Sequence, residues 1–236
     1  MILVLASLAD RDAVAFAKEF ADAAAISVLT CRDLAEDHTV LRYPDFASST
    51  LTVDCRKIAI GEIEGVINVL PAVFPEELVF FPPEEREYQA AEFHALLTFL
   101  LSSLPCPVIN RPAAGSLSGP CVNPIGWYHL AQGLGIPVSP IRLDTDNFNN
   151  PFAAHRADPT IAVTCLGDRV ITPSGTTGDR DTIALSRQAK VDYLTALYTA
   201  SEAGRPELAA VRAVPDLRDG VTRRALIDYL RGHRAA

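Results

Sequence analysis

Residues 121–140 read CVNPIGWYHLAQGLGIPVSP. Asn123-Pro124 is the pattern of a helix start. A short polar side chain accepts from the first free N–H groups, and proline loses nothing where the N–H has no partner inside the helix. Gly133 and Gly135 end the helix, and IPVSPIRL continues as a strand. The helix holds the chain's only tryptophan, Trp127, and one of its five histidines, His129. Residues two apart on a helix point to different sides, so these two do not form one cluster. Trp127 is expected in a core and His129 partly in solvent. The competing reading makes the stretch the wall of a ligand site.

Upstream, ILVLAS, AISVLTC and EGVINVLP are unbroken apolar runs suited to strands buried on both faces. DRDAVAFAKEFADA, between the first two, predicts a helix capped by Asp10 or Asp12, with Val14, Phe16, Ala17 and Phe20 as its apolar contacts. Such a strand–helix–strand opening predicts a parallel sheet with a right-handed crossover. STLTVDCRKIAIGEI predicts a hairpin turning near Arg56-Lys57. PAVFPEELVFFPPEE predicts a proline-rich surface loop partly tucked against the body. EREYQAAEFHALLTFLLSSL predicts a helix whose apolar stripe is Tyr88, Ala91, Ala95, Leu96, Phe99 and Leu100. PCPVINRP is a short strand with its exit turn.

Downstream, LDTDNFNNPFAAHRADP predicts a linker, and TIAVTCLGDRVITPSG a hairpin turning at Leu166-Gly167-Asp168. DTIALSRQAKVDYLTALYTASEAG predicts one long helix, ELAAVRAVPD a strand and VTRRALIDYLRGHRAA a terminal helix.

Composition narrows the function classes. Of 236 residues, 49% are hydrophobic and 21% charged, enough apolar material for a substantial core. A net charge of −8 speaks against nucleic acid and against an anionic membrane surface as partners. Only Lys18, Lys57 and Lys190 are lysines, and lysine is a usual contact for nucleotide phosphates. The five cysteines, Cys31, Cys55, Cys106, Cys121 and Cys165, form no C-x-x-C pair, which fits a reducing cytoplasm and no structural zinc. MILVLASLADRD has no basic start and reads as a strand, not a signal peptide. No apolar run is long enough to span a bilayer. No G-x-G-x-x-G follows the first strand, no phosphate-binding G-x-x-x-x-G-K-[ST] occurs, and no serine stands in a G-x-S-x-G.

The order of pieces over roughly residues 50–145 resembles the N-terminal region of ATP-grasp carboxylate–amine ligases. The similarity is closest to graspetide (microviridin-type) peptide ligases and ribosomal-protein glutamate ligases. It is carried by LTVDCRKIAI, GVINVL, the proline-rich flap, YQAAEFHALLTFLLSSLP, CPVINRPAAG and HLAQGLGIPVSPIRL, and farther on by the hairpin IAVTCLGDRVI. The resemblance implies an α/β fold. An N-terminal pre-ATP-grasp-like sheet flanked by helices (1–113) leads through a helix–strand linker (114–145) to a small α/β remnant of an ATP-grasp core (146–236).

It also implies a chemistry, acyl-phosphate formation from ATP followed by attack of an amine. That chemistry requires lysines over the phosphates and a Glu-x-Asn pair on magnesium, because phosphoryl transfer rests on positioning and charge neutralisation. The family's lysine after the helix-capping asparagine is Pro124 here. Leu70-Pro71-Ala72 stands where the family often has arginines, and Glu-x-Asn is missing from the chain. The resemblance therefore implies a core with its lid deleted and its magnesium end rebuilt.

The candidate ligand crevice comprises Asn110, Arg111, Asn123, Trp127, His129 and Arg169. Asn110 and Arg111 follow a buried strand, where open α/β sheets bind ligands; the alternative is a capped turn with a solvated arginine. Arg169 belongs to the first of two Gly-Asp-Arg triplets. In the second, within SGTTGDRDT, Asp179 and Asp181 are expected to cap a helix rather than admit an anion. No metal site is expected, since the aspartates share no ligand-like spacing with His or Glu. Two function classes follow. One is a catalytically degenerate ATP-grasp relative acting as a binding or partner subunit, without cofactor, with an ATP-grasp ligase or a peptide as partner, in modified-peptide or natural-product biosynthesis. The other is an active ATP-dependent carboxylate–amine ligase using ATP and Mg2+ through relocated ligands. Monomer and homodimer both remain open, the helices expected at 88–104 and 182–200 being candidate dimer contacts.

Overall fold

The computed structural model describes residues 1–21, 25–36, 39–120, 122–140, 161–200 and 204–232. Contacts divide the chain into two compact units, Met1–Gly119 with Val214–Ala236, and Pro120–Ala213. The helix of the 114–145 segment thus has its packing partners in the second unit, and the end of the 146–236 segment has its partners in the first.

In the first unit, β1 (Ile2–Leu5), β2 (Ile26–Leu29), β5 (Gly65–Asn68) and β6 (Val108–Ile109) form a parallel sheet in the order β2-β1-β5-β6. These strands are the apolar runs of the sequence, and both faces are covered. Leu3, Leu5, Val66 and Val108 share a core with Ala90, Phe93, Leu97 and Leu100 of α3 (Arg86–Ser103). The alternate residues face the other way. On that side α6 (Gly220–Gly232) comes so close that a Cβ at Gly65 would lie 2.6 Å from Leu230 Cδ2, which explains glycine there.

The helix after β1 is α1 (Arg11–Glu19), and Asp10 is its cap, accepting from Asp12 N at 3.0 Å and Ala13 N at 2.9 Å. Phe16 is buried as expected, but Val14 faces solvent and Ala13 takes the inward place. The short α2 (Cys31–Glu36) follows β2. The hairpin of β3 (Thr50–Val53) and β4 (Arg56–Ala59) turns at Asp54-Cys55, two residues before the Arg56-Lys57 expected. Both turn residues are left-handed, φ 51° and 57°, the backbone of a two-residue turn that matches strand twist. Neither Gly nor Asn marked it.

The helix α3 requires a correction. Its buried face is Ala90, Phe93, Leu97, Leu100 and Leu101, whereas Tyr88, Ala91, Ala95 and Phe99 are exposed and Leu96 is half-buried. Apolar residues surround the helix, so periodicity alone did not choose the inward side.

The second unit is built on an antiparallel sheet of β7 (Ile161–Leu166), β8 (Arg169–Thr172), β9 (Tyr193–Thr199) and β10 (Glu207–Arg212), ordered β10-β9-β7-β8. The single helix expected over DTIALSRQAKVDYLTALYTASEAG is instead α5 (Thr177–Ala189) followed by β9. Lys190, left-handed at φ 55°, ends α5, and Tyr193–Thr199 becomes a central strand. Pairing on both edges and burial overrode the helix propensity of Leu and Ala. Nothing helical remains at 193–199 to serve as a dimer contact.

The helix α4 (Pro124–Gly133) packs on β10, and the strand expected at IPVSPIRL is reduced to a bridge from Val138 to Leu208 among the described residues. The linker expected at LDTDNFNNPFAAHRADP lies outside the described residues. No described helix is long and apolar enough to cross a membrane.

Candidate functional site

Open parallel sheets bind ligands beyond the carboxyl ends of their strands, where neighbouring connections leave in opposite directions. Here that place lies beyond β1, whose neighbours are β2 and β5. Its polar groups are tied down. Asn68, fully buried at the end of β5, donates through Nδ2 to the Leu117 carbonyl at 2.6 Å and accepts at Oδ1 from Leu70 N at 3.0 Å. Glu77 accepts from Leu8 N at 3.3 Å. After β2, Asp33 accepts from Thr30 N at 2.8 Å and Thr30 Oγ1 at 2.7 Å. Burial, with Glu77 and Asp33 nearby, pushes the Cys31 thiol up to about 12, so it stays protonated and unreactive at neutral pH.

Asn110 follows β6 and is 1% exposed, and a cis peptide bond joins it to Ile109. Gly119, at φ 99°, packs over it, since a Cβ there would lie 3.0 Å from Asn110 Cβ. Arg111 turns back on the end of α3. Its Nη1 donates to the Leu101 carbonyl at 2.9 Å, and its Nη2 to Leu104 at 3.2 Å and Cys106 at 2.7 Å. These carbonyls belong to the last turn of the helix and the chain beyond it, groups that have no partner inside a helix. Arg111 is a helix-end clamp.

In the second unit, Asn123 caps α4, its Oδ1 accepting from Gly126 N at 2.7 Å with Pro124 in the first helical turn. Trp127 is 5% exposed and packs with Ala131, Leu185, Tyr198 and Leu208. Tyr128 ties α4 to the sheet by donating to the Ala209 carbonyl at 2.9 Å. Between them, Val122, Pro124, Trp127, Tyr128, Ala210 and Val211 line a cavity of about 80 Å³, room for little more than ordered water. His129 is exposed on the other side of the helix.

Arg169 is exposed on β8, the sheet edge opposite β10, against which α4 packs. Three strand spacings, about 14 Å, separate those edges. Asn110 and Arg111 belong to the first unit; within the second, Asn123, Trp127 and His129 belong to α4 and its cap, with His129 on the solvent side, and Arg169 stands on the far edge of the sheet.

The described carboxylates of the second unit are also engaged. Asp168 pairs with Arg187 at 2.8 Å, and Asp181 takes both oxygens to Arg205 at 3.1 Å. Asp179 accepts from Ser174 N, Ser174 Oγ and Gly175 N, while Asp192 and Glu207 each have a partner of their own. The helix cap expected from Asp179 or Asp181 is Thr176, whose hydroxyl accepts from Gly178 N at 3.2 Å; Asp179 reaches back across the turn. Among the described residues, no group of three or more His, Cys, Asp or Glu is placed to hold a metal ion.

Asn68 and Tyr128 went unnoticed in the sequence. The signal for the first was a lone amide at the end of an apolar run. Nothing local marked the second, whose partner lies 81 residues away.

The chain aligns with solved structures across nearly its full length. The macrocyclase MdnC from Microcystis aeruginosa MRC, bound with precursor peptide MdnA, aligns at TM-score 0.69 and 10% identity, over 97% of this chain and 98% of that one. The fold is that of ATP-grasp ligases. The ATP-grasp ligase PsnB, complexed with minimal precursor, Mg and ADP, aligns at TM-score 0.67 and 14% identity over 98% of both chains. D-alanine–D-alanine ligase from Aeromonas hydrophila aligns at 0.54 and 14%, over 97% of this chain and 94% of that one. No family model matches the chain, and no curated protein matches it. The ATP-grasp architecture is thus shared at identities that speak to fold alone.

Proposed function

We propose that this chain is a catalytically silent protein of the ATP-grasp fold, acting as a binding or partner subunit in the cytoplasm, in the making of a modified peptide or other natural product. The observation that carries this is the use made of Arg111. Arg111, the cation that the sequence offers as a ligand contact, spends both terminal nitrogens on carbonyls at and just beyond the end of α3. The described carboxylates of the second unit are likewise occupied by caps and ion pairs, and Pro124 stands in place of a lysine. A nucleotide triphosphate needs such groups free, because its transfer chemistry runs on charge neutralisation at fixed positions.

The fold neighbours supply the context. MdnC is bound with a precursor peptide and PsnB with a precursor, Mg and ADP. By analogy, the partner proposed for this chain is a peptide or an active ATP-grasp ligase. In this reading 1–113 corresponds to a pre-ATP-grasp region, 114–145 to its linker and 146–236 to a reduced core. Asn110, Arg111, Asn123 and Trp127 then maintain the scaffold, while His129 and Arg169 are the candidate residues left open to a ligand.

Isothermal titration with ATP and Mg2+ tests this. The expected result is no heat at millimolar nucleotide. Micromolar binding with substrate-dependent ADP release would replace the proposal with an active ligase using relocated ligands.

A further inference from the structure

The helix α3 has two apolar stripes. One is buried in the core of the first unit. The other, Tyr88, Ala91, Ala95 and Phe99, runs along the opposite side, with Tyr88 66% and Phe99 44% exposed. Spacings of three and four residues keep these side chains on one face, about 16 Å long. The ring of Phe46 meets Phe99 edge-on at 5.7 Å and widens the apolar end. Ala91 and Ala95 leave a shallow saddle between the two aromatic rings. Exposed Glu87 and Glu92 flank the stripe on either side, and Glu84 and Glu85 precede the helix. None of the four glutamates is ion-paired among the described residues.

We propose that this face docks an amphipathic helix from a partner protein, one whose apolar stripe is flanked by lysines and arginines. The proposal rests on the partner-subunit reading above and gives it a surface. An apolar stripe in a groove supplies contact area and the flanking charges supply register, the usual division of labour when a helix is recognised. The alanine saddle lets a second helix approach to about the 8–10 Å of packed helices. Charge decides among occupants. A second copy of the chain would bring like glutamates together across a two-fold axis, on a molecule already at net −8. An anionic lipid surface would be repelled by the same carboxylates.

The test uses fluorescence anisotropy on the full chain with a synthetic amphipathic peptide. Its Leu/Ala stripe is flanked by Lys and Arg, and a twin carries Glu at every basic position. The basic peptide is expected to bind, with the twin, Ala95→Arg and the double variant Glu87→Lys/Glu92→Lys each weaker by about tenfold or more, as loss of a central contact or of complementary charge requires. Asp228→Lys on α6, half that change of charge and on the side of the sheet opposite α3, is expected to stay within about twofold, because a distant exposed charge is screened. Unchanged circular dichroism of Ala95→Arg shows that the fold is intact.

Equal affinity for both peptides, or for all variants, overturns the proposal. So does sedimentation showing a dimer of the chain alone that Ala95→Arg dissolves, which gives the face to a second copy. Nucleotide titration of the same samples is read separately, so failure of docking and failure of the catalytically silent reading are distinct results.

Discussion

The two units solve the same burial problem with different chemistry. Apart from Asn68 at the end of β5, the parallel sheet of the first is held by apolar side chains, with Leu3, Leu5, Val66 and Leu97 all essentially inaccessible. The antiparallel sheet of the second has hydroxyls in its interior. Thr164 and Thr195 meet at 2.9 Å, Tyr193 reaches Thr195 at 3.0 Å, and Tyr198 bonds Thr182 at 2.9 Å. Ser139 and Thr199 meet at 2.8 Å. Dispersion and hydrophobic burial tolerate many arrangements, whereas hydroxyl pairs within a low-dielectric interior are satisfied in few. The second unit is therefore expected to be more sensitive to subtle substitutions, and the first to large ones.

The largest break in that comparison is Leu97→Asp. It places an unpaired charge in the core of the first unit and is expected to abolish its cooperative unfolding transition, monitored by circular dichroism in urea. Ala95→Asp, two residues away on the exposed stripe, is expected to fold. Reversal of that order would invalidate the assignment of the two faces.

Tyr198→Phe tests the second unit. It removes a hydroxyl shared by Thr182 Oγ1 and the Gly178 carbonyl and is expected to cost about 1–2 kcal/mol, far above the effect of its volume change. A double cycle with Thr182→Val is expected to give a coupling of at least ~0.5 kcal/mol, and additivity would mean the pair is not a unit.

Asp179→Asn is expected to cost less, about 0.5–1 kcal/mol at neutral pH, as loss of a charged cap does. Partial burial works against its charged form, but hydrogen bonds from Ser174 and from Gly175 N outweigh it and hold the carboxyl below the usual aspartate range. A lowered folded-state value contributes stability that is present above the unfolded value and lost as pH falls through the folded one. The gap between wild type and variant in thermal melts should thus close on acidification below about pH 4. A gap constant with pH would show that the charge has no part in it.

The smallest effect belongs to Asp168→Asn. Its partner Arg187 is, like Asp168 itself, mostly exposed, and the expected change is under about 0.5 kcal/mol, vanishing in high salt.

What the sequence revealed follows the same division. The strands β1, β2 and β5 were legible because doubly buried strands are continuous apolar runs, and α4 because Asn123-Pro124 states its own boundary. The inward side of α3 was not, since Tyr88, Ala91, Ala95 and Phe99 satisfy helical spacing as well as the buried set does. The boundary between α5 and β9 was hidden because Lys190 adopts a left-handed backbone without the glycine that usually signals one. Site roles were least legible. Whether Arg111 meets a ligand or a helix end depends on carbonyls five to ten residues back, whose positions exist only once α3 has folded.

The close approach of Leu230 to Gly65 has a consequence for synthesis. The sheet that begins at residue 2 receives one of its covering helices only from residues 220–232, so the first unit is discontinuous in sequence and the second is inserted between its two segments of chain. On the ribosome, Pro120–Ala213 has all its parts earlier than the unit begun before it. Until α6 emerges, the face of β5 beside Gly65 lacks that covering helix, and transiently exposed apolar surface of this kind is prone to aggregate.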